Sequence, residues 1–179
     1  MNITEIEYAR KASTLLASLR REMNGAVVDD MEGRGLHYER NYGVSLHTVR
    51  RAARELAPDH DFAKYLWDRP VREFKLAAVA VADPAMVTLD EVEFWLAGVS
   101  NIELAENVAS FLLARTSVAR QVAERYVVSD NPLWVYVAVL VAIKGCSTEI
   151  TAREALEFAK KIQTSTPYIE RAVAQLVAL

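Results

Sequence analysis

The chain has 179 residues, 52% hydrophobic and 25% charged, with a formal net charge of −3. This balance excludes a disordered chain, which lacks the apolar surface to offset its conformational entropy, and gives no global pull toward nucleic acid or anionic lipid. A single cysteine, Cys146, excludes an intrachain disulfide and a cysteine-rich zinc site.

The length fits one domain over residues 1–179. The start, Met1-Asn2-Ile3-Thr4-Glu5, carries no basic segment leading into an apolar core, so no secretory signal is expected. The longest apolar run, Pro132 to Ile143, is 12 residues. A membrane span needs about 20, so the run reads as a helix buried on all sides, and a cytoplasmic location is expected.

In chain order, helices are predicted over 3–23, 45–57, 59–67, 70–82, 89–99, 102–114, 117–128, 132–144, 152–163 and 167–178. Asn24-Gly25 lies near the end of the first. The stretch 26–44 is the least regular, with room for a short helix near Val28. Starts are marked by cap residues: Ser45, Thr88 with Glu91, Thr151 with Glu154, Asn131 before Pro132, and Thr166 before Pro167. Connections of two to six residues make consecutive helices antiparallel neighbours. Phe62–Arg69 lines up with Val108–Arg115 at an offset of 46, and Phe158–Ile162 repeats the start after a further 50. Periods of about 40–47 belong to stacked HEAT or armadillo helix pairs. The expected fold is all-α, a small curved α-solenoid of HEAT-like antiparallel helix pairs with one concave face for a partner.

Two helices have faces suited to chemistry. On 45–57, Leu46, Val49, Ala53 and Leu56 form the core stripe, and His47, Arg50, Arg51 and Arg54 share the opposite face. Arg34 and Arg40 lie just upstream, and from Gly33 to Arg54 the only acid is Glu39. Residues 1–75 carry 13 basic and 12 acidic side chains, whereas residues 76–179 carry 8 and 12. The basic cluster is therefore local, and its guanidinium groups suit successive phosphates of nucleic acid. On 102–114, Leu104, Val108, Phe111 and Leu112 form the core stripe, and Glu103, Glu106, Asn107 and Ser110 form a polar row that could stabilise a cationic transition state. Each row also reads as an ordinary solvated face. His37, His47 and His60 have no metal-ligand spacing, and no phosphate loop or nucleophile elbow occurs, so neither metal nor cofactor is expected. Trp67, Trp95 and Trp134 lie in apolar stretches and read as packing residues.

Three stretches together resemble one family. They are Tyr42-Gly43-Val44-Ser45-Leu46-His47-Thr48-Val49-Arg50, then Leu66-Trp67-Asp68-Arg69-Pro70-Val71-Arg72-Glu73-Phe74-Lys75-Leu76-Ala77, then the run from Glu91 through Trp95 and Asn101 to Trp134. In order and spacing they resemble the DNA alkylation repair family, alkylpurine DNA glycosylases built from HEAT-like repeats. The resemblance implies excision of positively charged alkylated purines. It implies an aspartate that stabilises the oxocarbenium sugar, two tryptophans on the deoxyribose and an arginine on the backbone, with no base drawn into a pocket. Carried over by motif, the first tryptophan falls on Ile102, the aspartate on Glu106, the arginine on Val137 and the second tryptophan on Gln175, while Trp134 matches the tryptophan that opens the arginine-bearing helix. Glu106 is then the one candidate catalytic residue left, longer than aspartate by one methylene.

The expected function is a DNA-backbone-binding module that keeps the scaffold and has lost most of the excision site, with double-stranded DNA as partner and Arg34, Arg40, His47, Arg50, Arg51 and Arg54 as the contact residues. The alternatives are an active glycosylase using Glu106 and a scaffold that binds another protein.

Overall fold

Cap residues set most of the helix starts. In the computed structural model, which describes residues 3–56, 58–145 and 152–178, Ser45 accepts from the Thr48 N–H at 3.2 Å and opens helix α3. Eleven α-helices occur among the described residues: α1 (Ile3–Leu19), α2 (Gly25–Gly33), α3 (Leu46–Arg54), α4 (His60–Trp67), α5 (Arg72–Val81), α6 (Val92–Ala97), α7 (Ile102–Phe111), α8 (Ala119–Tyr126), α9 (Pro132–Gly145), α10 (Ala152–Ala159) and α11 (Pro167–Val177). No strand forms among them; one isolated bridge joins Arg40 and Val71. The chain divides into two compact units, Met1–Asp83 and Pro84–Leu179.

In the first unit α4 and α3 pack on α5, and α1 packs on α3. Leu15 and Leu19 of α1, Val49 and Ala53 of α3, Phe62 and Leu66 of α4, and Leu76 and Val81 of α5 are buried. Asp59 caps α4 through the Phe62 N–H at 3.1 Å and holds Lys11 of α1 at 3.0 Å. Asn24 opens a helix of its own, accepting from the N–H groups of Ala26 and Val27. It therefore starts α2 rather than marking the end of a helix that runs to residue 23; α1 stops at Leu19 and continues as a 3-10 turn, Arg20–Glu22.

The segment before α3 has no regular structure, and its backbone polar groups are satisfied by α5. Glu73 is fully buried and accepts from the Tyr42 N–H at 3.2 Å and the Val44 N–H at 3.3 Å. Arg72, also buried, donates to Glu73 at 3.2 Å and to the Val44 carbonyl at 2.8 Å. Its guanidinium lies 5.9 Å from the centre of the Tyr38 ring. On the other side the Asn24 N–H donates to the Tyr42 carbonyl at 2.9 Å. Gly43 makes this close approach workable: its φ is +69°, and a Cβ there would lie 2.1 Å from the Asn24 carbonyl oxygen.

In the second unit α9 is the central element and packs against α7, α8 and α11. Every residue from Val135 to Ile143 is buried, as a helix without a polar face requires. Asn101 caps α7 through the Leu104 N–H at 3.1 Å, and Thr166 caps α11 through the Ile169 N–H at 3.3 Å. The Thr88–Glu91 capping box forms, but it opens a 3-10 turn, Leu89–Glu91, ahead of α6. α7 ends at Phe111 because Leu112 leaves helical geometry (φ −120°, ψ −73°). Phe111 is consequently 42% exposed and does not join the core stripe of Leu104, Val108 and Leu112. Asn107 is buried instead, donating to the Glu103 carbonyl at 2.8 Å, so the polar row predicted on this helix is broken. Thr151 and Cys146 lie outside the described residues. No helix among the described residues is long and apolar enough to cross a membrane.

Candidate functional site

The basic face of α3 follows from its cap and its core stripe. Ser45 fixes the first turn, and burial of Val49 and Ala53 turns the opposite side outward. His47, Arg51 and Arg54 are exposed and Arg50 is half-buried. All four line one depression of about 350 Å3 together with Leu46. Burial first, then the charge of Arg54, lowers the Arg50 guanidinium from its ordinary value. An anion placed in the depression would favour the charged guanidinium and so oppose this shift. Arg51 and Arg54 take part in no ion pair among the described residues. Arg34 and Arg40 are exposed but do not line this depression: Arg34 pairs with Asp30 one turn back, and Arg40 sits on the segment before α3, its carbonyl accepting the Arg72 N–H at 2.9 Å.

A separate cleft of about 210 Å3 lies within the second unit, between α7, α9 and α11. Ile102 and Glu106 come from α7, Tyr136 and Leu140 from α9, and Tyr168, Arg171, Ala172 and Gln175 from α11. The Tyr136 hydroxyl donates to the Glu106 carboxylate at 2.9 Å, and the Tyr136 and Tyr168 rings meet at 4.9 Å with a 63° tilt. Ile102, Glu106 and Gln175 thus come together, although 69 residues separate Glu106 from Gln175 in the sequence. Trp134 and Val137 do not join them. The Trp134 indole N–H donates to the Leu96 carbonyl at 3.1 Å, and its ring meets Tyr126 edge-on at 5.7 Å. Val137 is wholly buried. A helix turns about 100° per residue, so the face of α9 that turns Tyr136 and Leu140 to the cleft turns Val137 into the core. Tyr136, Tyr168 and Arg171 are cleft residues that sequence reasoning passes over; for Tyr136 the signal was its partner at i+4, Leu140, and an all-apolar helix does not say which pair faces out. Among the described residues no three His, Cys, Asp or Glu side chains gather as a metal would need.

Burial first, then the hydrogen bond to Glu106, pushes the Tyr136 phenol well above its ordinary value. The folded chain therefore favours the neutral phenol. The stabilisation this group contributes is complete below the unfolded value of about 10 and is lost as pH rises through and beyond it. Between about pH 8 and 11, the urea midpoint of the parent chain is expected to fall further than that of Tyr136→Phe. Equal falls would remove Tyr136 as a titrating contributor.

The helical architecture is that of HEAT-like repeat proteins. The fold matches, with a TM-score of 0.79 and 17% identity, a solved structure from a new family of proteins related to the HEAT-like repeat DNA glycosylases with affinity for branched DNA structures. The match covers 92% of this chain and 73% of that one. No curated protein matches the sequence. The family model described as DNA alkylation repair enzyme matches residues 15–176, and the chain belongs to that family.

Proposed function

We propose that this chain is a DNA-backbone-binding member of its family, acting as one HEAT-like repeat domain, in which base excision has been lost. The observation that carries the reading is the set of four basic side chains, His47, Arg50, Arg51 and Arg54, around one depression on α3. From His47 to Arg54 they span seven helical steps, about 10 Å, a reach that suits neighbouring phosphates along one strand. The affinity of the related structure's family for branched DNA supports DNA as the partner. What supports the loss of excision is the set of family positions: Ile102 and Gln175 stand where the resemblance puts tryptophans and the buried Val137 where it puts an arginine, so the rings and the cation this cleft does have, Tyr136, Tyr168 and Arg171, come from other positions.

The test compares the parent chain with the triple variant Arg50→Ala, Arg51→Ala, Arg54→Ala on duplex and branched DNA at several salt concentrations. The variant is expected to bind more weakly, with the slope of log affinity against log salt shallower by about 2–3. Absence of binding by the parent chain at about 50 mM salt would overturn the reading.

One observation favours a second reading, a residual glycosylase. Glu106 keeps a carboxylate in the cleft and Tyr136 fixes its orientation. In that case methylated duplex DNA loses alkylpurine faster than it does spontaneously, and Glu106→Gln abolishes the excess. Release at the spontaneous rate rejects an enzyme. A carboxylate misplaced by about 1 Å costs on the order of a hundredfold in rate, so the lengthened side chain alone favours the binding module.

A further inference from the structure

Beside the basic face lies a second depression of the first unit, a cleft of about 270 Å3 between α1 and α3. Its floor includes Leu15, Leu19 and Leu56, its α1 wall includes Ser18, and its α3 rim carries Arg51 and Glu55. Arg51 lines this cleft and the basic depression alike, so the two are continuous through one guanidinium. Arg51 and Glu55 are one helical turn apart and yet form no ion pair among the described residues. The Ser18 hydroxyl donates to the Leu15 carbonyl at 2.7 Å, so its hydrogen is already committed.

We propose that the α1–α3 cleft receives one unpaired nucleobase of a DNA strand held on the α3 arginine face. The inference rests on the binding reading above and adds what is selected within the strand. Three features carry it. The apolar floor favours an uncharged planar group, and the Glu55 carboxylate repels a second phosphate. The volume lies just under the range of about 300–1,000 Å3 typical of drug-sized ligands, which suits a single ring system. Glu55 is an acceptor with no donor among the described residues, and unpaired bases present donors to it, the exocyclic amino groups of adenine and cytosine and the imide N–H of thymine, whereas a purine without an amino group presents none on that edge. A base still paired in a duplex cannot enter, so the cleft reads unpaired bases only.

The experiment uses the full chain and three versions of one duplex: fully paired, with a single unpaired adenine, and with a single unpaired purine base that lacks the amino group. The adenine bulge is expected to bind about five- to tenfold more tightly than the paired duplex, the yield of one charge-assisted hydrogen bond and a few apolar contacts. Ser18→Phe, which fills the cleft from an exposed position on α1, should erase that preference and leave binding to the paired duplex unchanged. Glu55→Ala, also at an exposed position, should lower adenine-bulge affinity to that of the bulge lacking the amino group. Equal binding of bulged and paired DNA by the parent chain overturns the proposal and leaves the arginine-face reading standing, as does a bulge preference that survives Ser18→Phe. Loss of all DNA binding removes both.

Discussion

Replacing Glu73 by alanine is expected to cost about 3–5 kcal/mol of stability, the range for removing one partner of a buried ion pair. The Arg72 guanidinium loses its carboxylate partner while keeping the Val44 carbonyl, and the N–H groups of Tyr42 and Val44 lose their acceptor. Arg72 is 4% exposed, so its charge cannot turn to water without opening the segment that leads into α3. Against a total of about 5–15 kcal/mol for a folded domain, the loss is large enough to populate the unfolded chain at room temperature. The measurement is a urea transition at neutral pH. A midpoint within about 1 kcal/mol of the parent would mean that the buried pair is not needed. The double variant Arg72→Leu, Glu73→Leu removes both charges and is expected to recover part of the loss, because neutral backbone groups, the Tyr42 and Val44 N–H and the Val44 carbonyl, then lose partners but no buried charge does.

The second large effect follows from the register of α9. By motif alone, Val137→Arg restores an arginine on the helix that begins with Trp134. The structure makes that substitution destructive: Val137 has no exposure, and its neighbours from Val135 to Ile143 are all buried. A guanidinium there has no carboxylate on its own helix to pair with, and the expected outcome is a chain that fails to fold, with a loss above about 4 kcal/mol. Gln175→Arg adds the same charge at an exposed position lining the cleft of α7, α9 and α11 and is expected to stay within about 0.5 kcal/mol of the parent. A soluble, cooperatively folding Val137→Arg would show that α9 can turn in place.

Local rules were enough where the cause lies within a few residues. Ser45, Asn131 and Thr166 each announce a helix start in the sequence and each accepts from a backbone N–H that follows, while the Thr88 N–H donates to the Glu91 carboxylate in its capping box. The core stripe of α3 and its basic face were legible for the same reason, since a 3.6-residue period needs no distant partner. Asn24 was misread because Asn-Gly after a helical pattern suits a turn as well as a new helix, and tertiary contact with Tyr42 decides between them. Glu73 looked like one more helical acid. Its role depends on backbone donors 29–31 residues upstream, which no local pattern records. The cleft was half legible: the motif spacing marks Ile102, Glu106 and Gln175, which do meet, while the orientation of α9 was hidden because all its faces are apolar.

The tie between Glu73 and the stretch ahead of α3 also bears on how such a protein can change. The stretch that leads into α3 is held by a carboxylate on α5, not by the basic side chains of α3 itself. His47, Arg51 and Arg54 can therefore be exchanged for residues suited to a different ligand with little penalty to folding, while Glu73 tolerates almost no drift. Diversification of taste in such a lineage is cheap, and the hinge on which it turns is two neighbouring residues of α5.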